Sequence, residues 1–594
     1  MAIGQLLGSS VDYLIMDYLS EVTMSLLARA KKKDPDAGYA PDFVHYLAPH
    51  LKELKERKIA VVSNAGGINP RSCKAALEQI ATVKNVSLRI AIVEGDDLMP
   101  SLPDVRKQAV VEVQSGTPLP ETVLSANAYL GAVPIARALA LGADIVITGR
   151  CVDSALALGI LIHEFGWSVS DYDKMATGSL VGHLLECGPQ VTGGLYTDWT
   201  AVQNWAQIGY PIAECIASGP FIITKPDGTG GLVTPPTVAE QVLYEVADPT
   251  RYFLPDVTAD FSHVKLESIG MDRVRVTGAK GRPPTNHYKV SATYEAGFRA
   301  VALVVIIGIE AVQKAERTAE ELVRRARALF QKNRMPDFSN VHVEVLGAEA
   351  SYGKKSRARG CREVVLRLVM DHPDRKALED VGREVGSVGL SFAQGTAGLI
   401  GGRPKPETLI HLFTFFVEKS ALAAPQITIG SSESSVVPIS TQGDFQTPPS
   451  ESAPAASDST ERVSVLPADE DLVEVALRDV AHARSGDKGD SANIAIICRH
   501  ATYWSHLCEV LTSERLAAHF AEELRGPVMR YEVPGLAALN FVLFEALGGG
   551  GTASARIDPQ GKAFGQRALE IPIRVPRSWL TASPHDPSRQ SLLL

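Results

Sequence analysis

Short β-branched runs that end in a polar or glycine-bearing turn and then pass into a helix-compatible stretch recur through the first part of this chain. Nothing else in it constrains the fold as strongly. VDYLIMDY at 11–18 reads as an early strand, and KIAVVSNAGGINPRSCKAALEQI at 58–80 passes from strand through Gly66 and Gly67 into a helix. SLRIAIVEGDDL at 87–98 is a further strand, and GAVPIARALALGADIVITGRCVDSALALGILIHEFG at 131–166 gives helix, strand, polar turn and helix. Strands alternating with helices favour a mostly parallel sheet covered on its faces, with polar residues just beyond the strand C-termini well placed for function.

At 594 residues the chain exceeds one core, so several domains are expected. Residues 1–250 read as an α/β substrate-binding body. Beyond Thr250 shorter strands such as VKLESI, RVRVTGAKGRP and HYKVSAT precede the helical TAEELVRRARALFQKN, so 251–430 reads as an α+β extension of that body. AVALVVIIGIEAV at 300–312 is apolar but too short to span a bilayer, and a buried strand or helix is expected there. The Ser, Thr and Pro content of 431–463 offers little surface to offset ordering, which predicts a flexible linker, with a small C-terminal α/β domain at 464–594. In that domain EDLVEVALRDVAHARS and NIAIIC read as strands, while SERLAAHFAEELRG and VPGLAALNFVLFEALGGG read as helices.

A composition of 45% hydrophobic and 21% charged residues is that of a folded soluble protein, and a net charge of −9 carries no nucleic-acid footprint. The first residues carry no basic leader pattern and no stretch reaches eighteen uninterrupted apolar residues, so no membrane partner is expected. Seven cysteines without a CxxC pair or a Cys/His cluster argue for reduced thiols, hence an intracellular protein of the cytoplasm or an organelle matrix, and against a metal site.

Four loops could carry chemistry. In SNAGGINP, Asn64 and Asn69 offer amide groups while Gly66 and Gly67 permit close backbone approach; the same letters suit a structural strand-to-helix turn. In TGRCVDSA, Arg150 could clamp a carboxylate or phosphate, and Asp153 could handle a proton or cap the following helix; Cys151 reads as a core thiol. In ECGPQVTGGLYTDW, Gln190, Thr192, Gly193 and Gly194 form a substrate loop or an irregular packing loop. In ARSGDKGDSANIAI, Arg484, Asp487, Lys488, Asp490 and Asn493 make either a ligand or interface loop or a charged structural turn. Glu214 on a strand is a second candidate base, and His183 a weaker proton-transfer partner. The glycines match neither the GxGxxG fingerprint nor a Walker loop, so no cofactor is expected.

Taken together, VDYLIMDYLSEVT, SNAGGINP, GADIVITGRCVDSALALG, ECGPQVTGG and ARSGDKGDSANIAI resemble the acyclic terpene utilisation AtuA family across most of 1–430 and about 472–590. The resemblance implies a large α/β domain followed by a small domain of ferredoxin-like topology. It also implies metabolism of branched acyclic isoprenoid acids or their coenzyme A derivatives. The expectation is a cofactor-independent catabolic enzyme for a branched carboxylate or acyl-CoA, working by hydration, dehydration or lyase chemistry. Arg150 would hold the acid, Asp153 or Glu214 would move the proton, and Lys488 would complete the pocket. A hydrolase, and a noncatalytic acyl-CoA-binding or assembly protein, are the alternatives. A homodimer or higher homo-oligomer is compatible with either.

Overall fold

A computed structural model describes residues 2–430, 433–436 and 471–580. The described chain divides into two compact units, one drawn from 1–292, 413–544 and 561–594, the other from 293–412 and 545–560.

The first unit is organised by a six-stranded sheet. Its parallel part runs in the order Tyr13–Met16, Ala60–Ser63, Ile145–Thr148, Ile90–Glu94, and antiparallel Gln426–Ile429 and Glu433–Val436 extend it. Leu14 aligns with Val61, and Val62 and Ala91 both align with Val146. Ile145–Thr148 is buried along its whole length, as expected of a central strand covered on both faces. The expected alternation therefore holds, with antiparallel strands added at one edge. Glu433–Val436, within the stretch expected as a linker, is one of those strands; the remainder of 431–463 lies outside the described residues.

Each turn into a helix has a local cause. Pro70–Val83 begins with Pro at a position that needs no amide hydrogen, and Asn69 caps it by accepting from the Ser72 amide at 3.3 Å. Gly66 is required by space: a Cβ there would lie 2.5 Å from the Thr148 carbonyl oxygen on the neighbouring strand end.

The C-terminal part belongs to the same unit. It contributes a four-stranded antiparallel sheet in the order Ala481–Lys488, Ser491–Cys498, Ala538–Leu543, Val528–Val533, with Leu472–Ala476 pairing Pro572–Pro576 apart from it. The stretch expected as a helix at 533–550 is instead a short 3-10 turn followed by the strand Ala538–Leu543. All of that strand is buried, and a run that is apolar on every side carries no period to separate strand from helix.

The second unit is an antiparallel sheet with the helices Ala311–Asn333 and Arg375–Val385 packed on it. Ala300, Ala302, Val304 and Ile306 alternate into that core with Leu366, Leu368 and Phe330, so the apolar run at 300–312 is a strand that turns into a helix. Residues 545–560 complete the unit: Arg299 pairs with Asp371 at 2.7 Å and donates to the carbonyls of Thr552, Ala553 and Ser554.

Candidate active site

The four parallel strands deliver polar residues from their carboxyl ends: Asp17 after Met16, Asn64 after Ser63, Asp96 shortly past Glu94, and Arg150 shortly past Thr148. Parallel pairing sets these ends side by side, and hydrogen bonds join them. Asn64 Nδ2 donates to Asp17 Oδ1 at 2.7 Å, while Asn64 Oδ1 accepts the Tyr18 amide at 2.8 Å. Asp96 Oδ2 accepts from the Arg150 amide and from Asn127 Nδ2, each at 2.8 Å. Arg150 is 3% exposed; its Nη1 donates to Asp153 Oδ1 at 2.6 Å and to the Cys151 carbonyl at 3.0 Å, and its guanidinium lies 4.1 Å from the centre of the Tyr129 ring. The Tyr129 hydroxyl donates to Glu21, whose carboxylate is 3.8 Å from Lys289 Nζ.

These carboxyls sit in opposed environments. Burial, reinforced by the charge of Asp153, pushes Asp17 well above the ordinary carboxyl range, and its bond from Asn64 only partly opposes this. Burial also disfavours ionised Glu21, but Lys289, Arg150 and the Tyr129 hydroxyl outweigh it and hold Glu21 at about 2. Asp96 is pushed up to about 7 by burial.

Glu186 adds a further carboxyl. Its Oε1 is 3.0 Å from Nδ1 of His183, on the helix Tyr172–Leu185. The His183 ring is buried against Phe261 and Tyr252, and its Nε2 has no hydrogen-bond partner among the described residues. Burial raises Glu186, and the charges of Asp153 and Glu245 add to this against the pull of His183.

The C-terminal sheet brings cations to the same place. Ala481–Lys488 and Ser491–Cys498 form a hairpin with Lys488 opposite Ser491, and Gly489 at φ +65° makes the two-residue turn possible. The GDKGD stretch is thus a hairpin tip. Lys488 Nζ stands 5.2 Å from the centre of the Tyr252 ring, and its charge reaches His183 and Glu245. Asp487 is 3.0 Å from Lys562 Nζ, which also meets Glu245 at 2.6 Å and the Tyr244 hydroxyl at 2.5 Å.

Residues 2–427 match the model of the acyclic terpene utilisation family protein AtuA. The chain belongs to the acyclic terpene utilisation AtuA family. Residues 475–574 match the AtuA ferredoxin-like domain, which is the four-stranded antiparallel region that carries the hairpin. No curated protein and no solved structure matches the chain.

In this AtuA-family chain the remaining residues singled out from the sequence have mixed positions. Asn69 Nδ2 donates to the carbonyls of Pro35 and Ala37, Gly66 packs on Thr148 and Gly67 on Leu27, so within that loop Asn64 alone reaches the carboxyl group. Gln190 accepts from Arg484, which also donates to the Leu195 carbonyl at 3.1 Å. Thr192 bonds the Gly209 carbonyl at 2.6 Å, Gly193 lies beside Leu232, and Gly194 beside Pro189. Asn493 donates to the Leu243 carbonyl and accepts the Glu245 amide, and the Asp490 amide donates to Gln114. The contacts of Arg484, Asn493 and Asp490 fasten the C-terminal sheet to the body. Glu214 is half-exposed on Ile212–Cys215, with both carboxylate oxygens taken by Arg273 at 2.7 and 2.5 Å. Cys151 is buried, and burial pushes its thiol up to about 12. Among the described residues no group of three or more His, Cys, Asp or Glu is arranged to hold a metal ion, and no helix is long and apolar enough to cross a membrane.

Asp17, Glu21, Asp96, Glu186, Glu245, Lys289 and Lys562 were not singled out from the sequence. Asp17 and Asp96 carried a usable signal, since both stand just past a strand end as Asn64 and Arg150 do. The others lie on elements distant in sequence, and no local pattern marks them.

Proposed function

We propose that the chain is a catabolic enzyme that moves a proton on a branched carboxylate or its coenzyme A thioester, in hydration, dehydration or carbon–carbon lyase chemistry. One observation carries this reading: Asp17 is held toward the protonated form by burial and by the charge of Asp153, a carboxylate that Arg150 binds at 2.6 Å. Such a pairing supplies an acid and a base within one site. In a hydration, Asp153 takes a proton from water as its oxygen adds to the β-carbon of an enoyl group, and Asp17 gives its proton to the α-carbon. Asp153 then holds a proton and Asp17 has lost one, and exchange with solvent restores both. Dehydration is the reverse. Arg150 orients Asp153 through the 2.6 Å bond, and Lys488 and Lys289 attract the anionic head. The His183–Glu186 pair beside them offers a relay for the exchanged proton.

A mass-spectrometric screen of branched enoyl-CoA, hydroxyacyl-CoA and free-acid pools, without added nicotinamide, tests this. A product that scales with protein and is lost in Asp17→Asn and Asp153→Asn supports it, and a product unchanged in both variants rejects the assignment.

A further inference from the structure

Asp17 and Glu186 also line a cavity of about 1000 Å³ that Arg150, Lys289, Lys488 and Lys562 do not line. Somewhat more of its wall is apolar than polar: Ile3 and Leu6 come from the helix Ala2–Leu7, Ala157, Ile160 and Leu161 from Ala155–Phe165, and Leu185 from Tyr172–Leu185. Its acidic side chains outnumber its basic ones. Asp12, Asp17, Glu164, Glu186 and Glu214 line it beside His45 and His50, and among the described residues no Lys or Arg does. Arg273 offsets Glu214, but Glu164 meets the Tyr13 hydroxyl at 2.7 Å and Asp17 meets Asn64, neither of them a cation. An anion placed here would lose its water and gain no counter-charge, whereas a hydrocarbon chain improves its binding about fourfold per methylene removed from water.

We propose that this cavity is the subsite for the uncharged hydrocarbon end of an amphiphilic substrate, whose anionic head stays outside it with Lys289 and Lys488. The proposal rests on the reading above in taking the substrate to be an anion with an apolar chain. It adds which end goes where, and which walls limit chain size.

Two fluorescent probes with one ring skeleton test it on the full chain. The uncharged N-phenyl-1-naphthylamine is expected to bind one per chain, and 8-anilinonaphthalene-1-sulfonate at least tenfold more weakly. Ala157→Phe, which places a ring in the cavity from the helical wall, lowers affinity for the uncharged probe at least tenfold. Because Ala157 is buried, Ala213→Phe repeats the block from the half-buried strand wall, and circular dichroism and the melting temperature confirm that each variant is folded. Equal affinity for the two probes, or uncharged-probe binding unchanged in a folded cavity-filling variant, overturns the proposal. Probe binding does not depend on turnover. Expected probe behaviour with no acid or thioester transformed leaves the subsite standing and removes the catalytic reading, and turnover with unaltered probe binding in the variants does the opposite.

Discussion

Asn64 Nδ2 donates to Asp17 Oδ1 at 2.7 Å while Asn64 Oδ1 accepts the Tyr18 amide at 2.8 Å, so one buried amide both orients the Asp17 carboxyl and fixes the backbone beyond it. Neither partner lies in the other's loop, and the parallel register of Met16 with Ser63 is what brings them together.

Replacing Asn64 by Leu removes both bonds and leaves the Tyr18 amide unpaired. A loss of roughly 1–3 kcal/mol is expected, read from the urea midpoint. Asn64→Asp keeps an acceptor for Tyr18 but sets a second carboxyl against Asp17, and turnover falls at least as far as in the Leu variant.

Asp153→Asn keeps the size of the side chain and removes the group that takes the proton, so kcat falls about 100-fold or more, within the range expected of a general base. Glu214→Gln, made on a carboxylate bound by Arg273, changes kcat less than about threefold. The ratio of the two effects, measured on one substrate, separates the two candidate bases.

Stability carries a pH signature. Burial raises Asp96 from 3.8 to about 7, so the folded chain binds that proton more tightly than the unfolded one between these values. The contribution is complete below pH 4 and is lost as pH rises through 7. Glu240, raised to about 7 by burial, acts in the same direction. The urea midpoint should fall between pH 5 and pH 8, and Asp96→Asn should flatten that dependence by about 2–4 kcal/mol.

The C-terminal sheet is held to the body by Arg499 on Asp198 at 2.5 and 2.7 Å, by Arg484 on Gln190 and by Asn493 on Leu243. A protease site inserted between 437 and 470 and then cleaved should leave two fragments that co-elute. Arg499→Ala, which removes the two-pronged ion pair of a largely buried Asp198, should cost about 3 kcal/mol and let the fragments separate at lower urea.

Much of the architecture was legible because its period is local. The strands at 13–16, 60–63, 90–94 and 145–148, and the helices after two of them, announce themselves through β-branched runs, glycine turns and capping residues. The strand Ala538–Leu543 did not, since it is buried on both faces, and neither did the placement of 545–560 in the second unit, which depends on Arg299 far away in sequence. For the candidate site, Asn64, Arg150, Asp153, Asp487 and Lys488 stood out in the sequence as loop residues able to carry chemistry. Of the acids that set their electrostatics, Asp17 stands past a strand end where it could have been found, whereas Glu186 and Glu245 come to it only through packing of elements distant in sequence.

The most direct test of the proton-transfer reading is to run the acid and thioester screen in D₂O and follow deuterium at the α-carbon by mass spectrometry. The account predicts a hydration product carrying one solvent deuterium at the α-carbon in the native chain, formed about 100-fold or more slowly in both Asp17→Asn and Asp153→Asn. Saturable binding of a pool member that is recovered unlabelled and unchanged after prolonged incubation would contradict it.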